Sequence, residues 1–304
     1  MNKMTKKSII ALALSLSLLG GCSLPGLSGP AEKTVTVGTL GTAESAIMGN
    51  IVSQMIDHYT DLQTEMISNM GSSTVQHKAM TAGEVDITAT RYTGTDLVGA
   101  LGMDVVKDPD KALKIVKREF QQQFNQTWFD SYGFANSYAF TVTSQLAEKE
   151  NLKTVSDLEA LASELRLGVD SAWIRRPGVG YDSFIETYGF EFGRIFPMNI
   201  GLVYKAVESG EMDVVLAYTT DGRMEAFDLV TLEDNKNLFP PYDSSPVARN
   251  EVLKKHPELN DILQKLAGTI STEQMREMNY QANVKMKEPR VVAKEFLEKN
   301  NYFE

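Results

Sequence analysis

Two stretches of this chain are similar: GEVDITATRYT at residues 83–93, and GEMDVVLAYT at residues 210–219. Each begins with a glycine typical of a helix end, continues with strand-forming residues and reaches a tyrosine, Tyr92 or Tyr218. A Thr-Asp pair follows each tyrosine within a few residues. The repetition predicts two similar halves, each with an aromatic ring where a strand ends.

The residues that lead to Tyr92 predict a βαβαβ unit. Alternating residues at 35–40 indicate a strand, and apolar residues at helical spacing indicate a helix at 43–59. A strand at 63–68, a helix at 74–80 and the strand that ends at Tyr92 complete the unit. The methionines in these helices are predicted to fill the core.

The second half repeats this plan. A strand at 165–169 is similar to the first strand, and helices are predicted at 181–188 and 200–208 before the strand that ends at Tyr218. Alternating strands and helices favour mostly parallel sheets that are covered on both faces. The predicted fold class is therefore α/β, with two doubly wound lobes. Ligands of such sheets bind outside the carboxyl ends of the strands, where Tyr92 and Tyr218 fall.

Two extended crossings are predicted to join the lobes. The chain leaves the first lobe through residues 138–143 and returns after Tyr218. The first lobe then comprises residues 34–137 and 223–304, and the second comprises residues 138–222. Two such crossings form a hinge that can close around a ligand.

The C-terminal part is predicted to form two long helices, at residues 250–270 and 272–300. Both are expected to pack on the first lobe. The charged outer faces of these and other long helices are expected to be solvated.

The N-terminus predicts an exported lipoprotein. Three lysines precede an apolar run at 9–19, which has the length of a signal-peptide core. A helix that crosses a membrane needs about 20 apolar residues, so this run is too short. The run ends in Leu-Gly-Gly before the single cysteine, Cys22. We predict a lipoprotein signal peptide at 1–21, a lipid-anchored Cys22 and a flexible tether at 22–33; the alternative is a secretory signal with a chance cysteine.

Charge and composition narrow the class of protein. The formal net charge is −10, and it becomes −13 when the three lysines of the signal peptide are removed. This balance argues against nucleic acid as a partner and mildly favours cationic ligands. No cysteine is left for a disulfide, so buried apolar area must supply the stability. The remaining chain is long enough for two cores.

Signatures of enzymes and of metal sites are absent from the sequence. It contains no phosphate-binding loop, no nucleophile elbow and no His-Glu-x-x-His motif. The histidines, His58, His77 and His256, lie in separate predicted helices without the spacing of metal ligands. The sequence therefore predicts no enzymatic activity, no metal and no cofactor.

Four tyrosines are predicted at strand ends or crossings: Tyr92, Tyr138, Tyr218 and Tyr242. Two prolines precede Tyr242 and restrict its backbone. A quaternary ammonium group has no N–H donor, so a protein recognises it mainly with aromatic faces. The four rings therefore predict a binding site for quaternary ammonium compounds. The alternative is that each tyrosine is an amphipathic residue at a sheet edge.

Thr95 is predicted either to cap a helix or to form a hydrogen bond with the polar end of the ligand. A neutral hydroxyl tolerates a ligand carboxylate, whereas an acid at this position would favour a bare cation. Asp96 and Asp221 are expected to cap helices or brace loops. The turn at 71–74 leads into a helix and could present N–H groups to an anion.

Several motifs resemble those of the substrate-binding lipoproteins of osmoprotectant ABC transporters, the OpuAC-like family. They are ATRYTGTD at 89–96, WFDSYGF at 128–134, YAFTV at 138–142, AYTTDGR at 217–223 and FPPY at 239–242. The resemblance covers the whole mature chain and is strongest to the glycine betaine/carnitine/choline-binding proteins of the OpuC type. It implies a two-lobed periplasmic-binding-protein fold of type II.

The resemblance also implies roles for single residues. Tyr92, Tyr138, Tyr218 and Tyr242 match a cage around the ammonium head, and Thr95 matches a contact to the other end of the ligand. One position departs from the family pattern, because Leu40 stands where a glutamine is expected. That departure affects one polar contact and hence the preference among glycine betaine, carnitine and choline.

The implied protein is the extracytoplasmic solute-binding component of an importer used under osmotic stress. It would be a monomer that is lipid-anchored to the cell membrane. Its partners would be a quaternary ammonium solute, a permease and a separate ATPase.

Two alternatives remain from the residues alone. The same fold could bind another small solute such as an amino acid, which would need an arginine or several helix N-termini at the cleft. Arg91 and Arg223 are candidates, although each is also expected to pair with carboxylates. A lipoprotein enzyme or a surface chaperone is the second alternative.

Overall fold

A computed structural model describes residues 33–176 and 178–304. The strands in this part, in chain order, are β1 (Thr34–Leu40), β2 (Gln63–Met70), β3 (Ile87–Tyr92), β4 (Gln126–Trp128), β5 (Tyr138–Thr143), β6 (Arg166–Asp170), β7 (Arg194–Met198), β8 (Val214–Tyr218), β9 (Leu229–Thr231) and β10 (Ser244–Arg249). The helices are α1 (Ala43–Tyr59), α2 (Ser73–Ala82), α3 (Thr93–Gly99), α4 (Pro109–Phe124), α5 (Ser144–Glu150), α6 (Ser171–Ile174), α7 (Tyr181–Tyr188), α8 (Ile200–Glu208), α9 (Arg223–Ala226), α10 (Asn250–Lys255), α11 (Glu258–Gln264), α12 (Thr272–Asn283) and α13 (Pro289–Lys299).

The strands form two separate five-stranded sheets. The first has the order β2-β1-β3-β10-β4 and the second the order β7-β6-β8-β5-β9. The prediction of two α/β lobes is confirmed. Both sheets are mixed, however, and not mostly parallel. β10 is antiparallel to β3 and β4, and β5 is antiparallel to β8 and β9.

The mixed pairing has a physical cause. Parallel neighbours need a long crossover, usually a helix, to bring the chain back to the same end of the sheet. β5 enters the second sheet directly from a segment that crosses between the lobes, and β10 enters the first sheet in the same way. Each therefore pairs antiparallel with its neighbours.

The first lobe is built around α1. Its residues Ile47, Met48, Ile51 and Met55 are fully buried, and α11, α12 and α13 pack against it. Each such buried side chain contributes about 1.5–3 kcal/mol through removal from water. The predicted core role of the methionines and the predicted packing of the C-terminal helices on the first lobe are both confirmed.

The prediction of two long C-terminal helices is wrong. The first breaks between α10 and α11, at Pro257, and the second breaks before α13, which begins with Pro289. Proline lacks an N–H donor and disfavours helical geometry in the residue before it, whereas it is well suited to the first turn of a new helix.

The crossings lie elsewhere than predicted. Residues 138–143 are β5, inside the second sheet, and the outgoing crossing precedes them. Ala135 forms a β-bridge with Asp243, and the Asn136 N–H donates to the Tyr242 carbonyl at 3.2 Å. The outgoing and returning segments thus lie side by side as a short antiparallel ribbon, here called the crossing ribbon, residues 134–137 and 240–243.

The chain also returns later than the predicted boundary at residue 222. β9 pairs with β5, so the second sheet still receives a strand at Leu229–Thr231. Leu238 and Phe239 are then buried in the core of the second lobe. Because these apolar side chains must be covered there, the chain cannot leave that lobe before residue 240.

The predicted signal peptide at 1–21, Cys22 and the tether up to residue 32 lie outside the described residues. Within the described residues, no helix is long and apolar enough to cross a membrane.

Candidate functional site

A cavity of about 620 Å³ lies where the two lobes and the crossing ribbon meet. All five residues that the sequence singled out line it: Tyr92 at the end of β3, Thr95 in α3, Tyr138 at the start of β5, Tyr218 at the end of β8, and Tyr242 in the crossing ribbon. The structure therefore brings together side chains from both sheets, α3 and the crossing ribbon that lie up to 150 positions apart in the chain.

The geometry of the rings follows from strand register. Tyr138 and Tyr218 lie directly opposite each other on β5 and β8, so both side chains leave the sheet on the same face. Their ring centroids are 5.1 Å apart at an interplanar angle of 38°. Phe239 extends this group, with its centroid 5.6 Å from that of Tyr138.

The four phenols are neutral at physiological pH. Burial raises the pKa of Tyr92, Tyr138 and Tyr218 above the ordinary value. It raises the pKa of Tyr242 to about 12, although the nearby positive charge of Arg176 opposes that rise. The cavity thus offers uncharged aromatic rings, whose faces attract cations.

Tyr242 is held by close contact between the crossing ribbon and α3. The Pro241 carbonyl accepts hydrogen bonds from the Gly94 N–H at 3.0 Å and from Thr93 Oγ1 at 2.9 Å. A side chain at Gly94 would collide with this segment, because an added Cβ would lie 2.7 Å from the Pro241 oxygen. Glycine at this position therefore allows the ribbon to reach α3.

A buried acid also lines the cavity, and no pattern in the sequence predicts it. Glu44 is 3% exposed. Its carboxylate accepts hydrogen bonds from Tyr92 Oη at 2.6 Å, Asn136 Nδ2 at 3.0 Å and Asn279 Nδ2 at 3.3 Å. Burial raises its pKa above the ordinary value, and these hydrogen bonds oppose that rise.

An arginine and two helix N-termini supply positive potential to the cavity. Arg176 places its guanidinium carbon 5.3 Å from the Tyr138 ring centroid, a cation–π contact. The first residues of α1 (Thr42 to Glu44) and of α2 (Ser72 to Thr74) also line the cavity. Helix N-termini attract anions. Sequence reasoning noted the turn at 71–74 but missed Arg176, which lies in a loop.

The other candidates that the sequence raised lie elsewhere or are paired. Arg91 is fully buried, and its Nε donates to Asp96 at 2.9 Å; Arg223 Nε donates to Asp221 at 2.9 Å. The expected pairing of both arginines with carboxylates is confirmed. The capping role considered for Thr95 is wrong, because the N-cap of α3 is Tyr92.

His58 and His77 lie in separate helices, as predicted, whereas His256 lies just beyond the end of α10. His77 packs against Phe120 and Phe124, and burial lowers its pKa. His58 packs against Phe303, and His256 is 3.7 Å from Glu258. In the part of the chain that the structure describes, no group of three or more His, Cys, Asp or Glu residues could hold a metal ion.

Comparison with known proteins decides the family. The family model OpuAC, described as the substrate binding domain of an ABC-type glycine betaine transport system, matches residues 33–299. The chain belongs to the OpuAC family. The family consists of substrate-binding proteins of transporters, which confirms both the resemblance and the prediction that the chain is not an enzyme.

Individual relatives agree with this family. The chain is 54% identical over 304 residues to the carnitine transport binding protein OpuCC of Listeria monocytogenes, covering 98% of this chain and 99% of that protein. It is 32% identical over 269 residues to the ergothioneine transport permease/ergothioneine binding protein EgtU of Helicobacter pylori, covering 88% of this chain and 48% of that protein.

A solved structure matches the fold. The crystal structure of a glycine betaine/carnitine/choline ABC transporter protein superposes with a TM-score of 0.85 at 48% sequence identity. The match covers 89% of this chain and 99% of that one. The predicted two-lobed periplasmic-binding-protein fold of type II is thereby confirmed.

Proposed function

We propose that this OpuAC-family chain captures quaternary ammonium osmoprotectants and delivers them to an ABC importer. The trimethylammonium head would bind among Tyr92, Tyr138, Tyr218 and Tyr242. The observation that carries the proposal is that these four rings, from both lobes and the crossing ribbon, line one cavity. Closure of the lobes would complete the cage and remove the head from water.

The energies suit this role. A cation over an aromatic face gains about 0.5–2 kcal/mol, with the higher values in desolvated sites. Three or four such contacts supply a large part of the roughly 8 kcal/mol that micromolar binding requires. Since the four phenols carry no charge, the ligand need not break an ion pair to enter.

The polar groups that line the cavity favour a carboxylate on the ligand. Arg176, whose guanidinium lies beside the Tyr138 ring, and the N-terminus of α2 present positive potential to a bound carboxylate, and the Thr95 hydroxyl can donate a hydrogen bond. Leu40 also lines the cavity and offers only an apolar side chain. We propose that glycine betaine and carnitine, which carry a carboxylate, bind more tightly than choline, and that Arg176 replaces the polar contact missing at Leu40.

A second candidate follows from the same groups. An arginine and two helix N-termini at the cleft are what the binding of an amino acid carboxylate would require. The primary ammonium of an amino acid, however, needs hydrogen-bond acceptors, and in this structure the Glu44 carboxylate already accepts from several donors. Glycine and proline should therefore be tested by calorimetry beside glycine betaine, as ligands that would support the second candidate.

The proposed setting is the extracytoplasmic face of the cell membrane. Cys22 would carry the lipid anchor, and the closed monomer would dock on a permease driven by a separate ATPase. Cys22→Ser is expected to abolish incorporation of labelled fatty acid and to release the protein from the membrane. Unchanged labelling of that variant would contradict the anchor.

Alanine substitutions test the cage. Replacing Tyr92, Tyr138, Tyr218 or Tyr242 with alanine is expected to weaken binding of glycine betaine about tenfold or more, a loss of roughly 1–2 kcal/mol per ring. Isothermal calorimetry measures the affinities. Tyr59, a half-exposed tyrosine outside the cavity, provides the control variant, which should bind normally. Unchanged affinity in two or more of the four variants would contradict the cage.

A further inference from the structure

Glu44 is a buried acid without a basic partner among the described residues. Acidic side chains are rarely this buried unless they are paired with a positive charge. Within the described residues, no lysine, arginine or histidine forms an ion pair with Glu44. What compensates its charge is a set of neutral donors and the N-terminus of α1, where Glu44 is the second residue.

The donors come from three separate parts of the molecule, and one of them also contacts the second lobe. Tyr92 ends β3 of the first lobe, and Asn136 belongs to the crossing ribbon. Asn279 lies on α12, and Thr220, which it also contacts, follows β8 of the second lobe. Asn279 Nδ2 also donates to the Thr220 carbonyl at 2.8 Å. One carboxylate therefore connects a cage tyrosine to the crossing ribbon, to the C-terminal helices and to the second lobe.

We propose that Glu44 is a positioning residue of the ligand site, which holds the Tyr92 ring in place and fastens it to the crossing ribbon and the second lobe. This role rests on the proposed function. The Tyr92 hydroxyl is engaged by Glu44, so Tyr92 meets the ligand with its ring alone. Glu44 acts through Tyr92 and through the contacts between the lobes. Its hydrogen bonds hold the Tyr92 ring in its place in the cage.

The role has a consequence for pH. The ionisable and charged side chains that share the cavity wall with Glu44 are Tyr92, Tyr138, Arg176, Tyr218, Asp221 and Tyr242. The tyrosines are neutral, and Asp221 is paired with Arg223. On α12, Arg276 Nε donates to the Thr219 carbonyl at 3.1 Å. Burial raises the pKa of Glu44, so among these groups Glu44 is the one expected to gain a proton as the pH falls.

Protonation would disrupt the network. A protonated carboxyl carries an O–H that faces the donors of Tyr92, Asn136 and Asn279. Affinity should therefore fall as the pH falls through the pKa of Glu44. The stability of the ligand-free protein should change in the opposite direction. Because the pKa of Glu44 is higher in the folded than in the unfolded state, Glu44 stabilises the fold when the pH is below its unfolded-state pKa. That contribution is lost as the pH rises through its folded-state pKa.

Glycine betaine is a suitable probe because neither of its charged groups titrates in the range of interest. Calorimetric titrations between about pH 5 and 8 would compare the wild-type protein with Glu44→Gln and Tyr92→Phe. Glu44→Gln keeps the size of the side chain and removes its charge. Tyr92→Phe keeps the aromatic face and removes the hydroxyl that Glu44 holds.

The expected result is a wild-type affinity that declines toward low pH. Glu44→Gln should bind at least about tenfold more weakly at neutral pH, which corresponds to about 1.4 kcal/mol, and should lose the pH dependence. Tyr92→Phe should bind several-fold more weakly. Tyr188→Phe is the matched control, because it removes a buried hydroxyl bonded to Asp234 outside the cavity, and its affinity should be unchanged.

Two negative results are distinguishable. If the wild type, Glu44→Gln and Tyr92→Phe bind glycine betaine with the same affinity and the same pH profile, the role of Glu44 is overturned. The proposed function then remains intact. If Glu44→Gln does not fold, an unchanged affinity in Tyr92→Phe overturns it instead. A wild-type protein that gives no heat with glycine betaine overturns the proposed function and, with it, this role.

Discussion

Replacing Gly94 with alanine is expected to weaken ligand binding by moving Tyr242. Gly94 lies near the start of α3, under the returning strand of the crossing ribbon. An added Cβ would lie 2.7 Å from the Pro241 oxygen, 3.1 Å from Tyr242 Cε1 and 3.2 Å from Pro240 Cγ. The nearest of these atoms belongs to the backbone, so a change of side-chain rotamer cannot relieve the contact.

The distances give the size of the effect. Non-bonded heavy atoms prefer separations of about 3.5 Å or more, so the Pro241 carbonyl must retreat by roughly 0.8 Å. That movement lengthens the hydrogen bond from the Gly94 N–H, now 3.0 Å, and displaces the ring that follows. Overpacking of this kind costs about 1–3 kcal/mol of stability. A comparable misplacement of one cage ring should lower affinity about tenfold.

Two assays on one pair of variants test this reasoning. Urea denaturation gives the free energy of unfolding, and calorimetry with glycine betaine gives the affinity. Gly99→Ala is the matched control, since Gly99 belongs to the same helix and no atom lies within 4 Å of its added Cβ. The control should bind normally and be as stable as the wild type, or more so by up to about 1 kcal/mol. Wild-type affinity and stability in Gly94→Ala would refute the claim that this contact positions Tyr242.

Two further substitutions probe charges near the cavity. Arg176→Gln should lower the affinity for glycine betaine about tenfold and that for choline less than about twofold, since only the former has a carboxylate to pair with the guanidinium; equal losses in calorimetry would contradict a carboxylate contact. Asp96→Asn should leave the buried Arg91 without its counter-ion and lower the free energy of unfolding by about 3–5 kcal/mol in urea; a loss below about 1 kcal/mol would show that the pair adds little.

The sequence was sufficient to place the tyrosines because their positions follow from strand geometry. Tyr92 and Tyr218 end similar strands in the two halves, and the carboxyl ends of such strands face the cleft. Tyr138 and Tyr218 meet because β5 and β8 pair in register. The prolines before Tyr242 indicated a fixed direction for that ring. The positions of Tyr92, Tyr218 and Tyr242 follow from local sequence, whereas the pairing of Tyr138 with Tyr218 joins two distant strands and was not predicted.

Glu44 and Arg176 were missed for the opposite reason. An acid in the first turn of a helix is common and is usually exposed. What buries Glu44 is a set of residues that includes Asn279, 235 positions away. Arg176 lies between α6 and α7 with no periodic pattern around it. Only the assembled fold places either side chain in the cavity.

The crossings and the C-terminal helices show a different limit. The return of the chain at residue 240, later than predicted, depends on β9, a three-residue strand too short to leave a recognisable pattern. The breaks at Pro257 and Pro289, by contrast, were visible in the sequence. Apolar residues at helical spacing continue across both prolines and suggest uninterrupted helices. The helix-breaking effect of proline overrides that pattern.

The central claim is that aromatic faces hold the positive charge of the ligand, and one comparison tests it most directly. The purified protein would be titrated calorimetrically with choline and with its neutral carbon isostere, in which a tert-butyl group replaces the trimethylammonium group. The two molecules have nearly the same shape, and only one is charged. The account predicts measurable binding of choline and an affinity for the isostere lower by at least about a hundredfold. Equal affinities would contradict the account, because the cavity would then recognise shape and apolar surface without regard to charge.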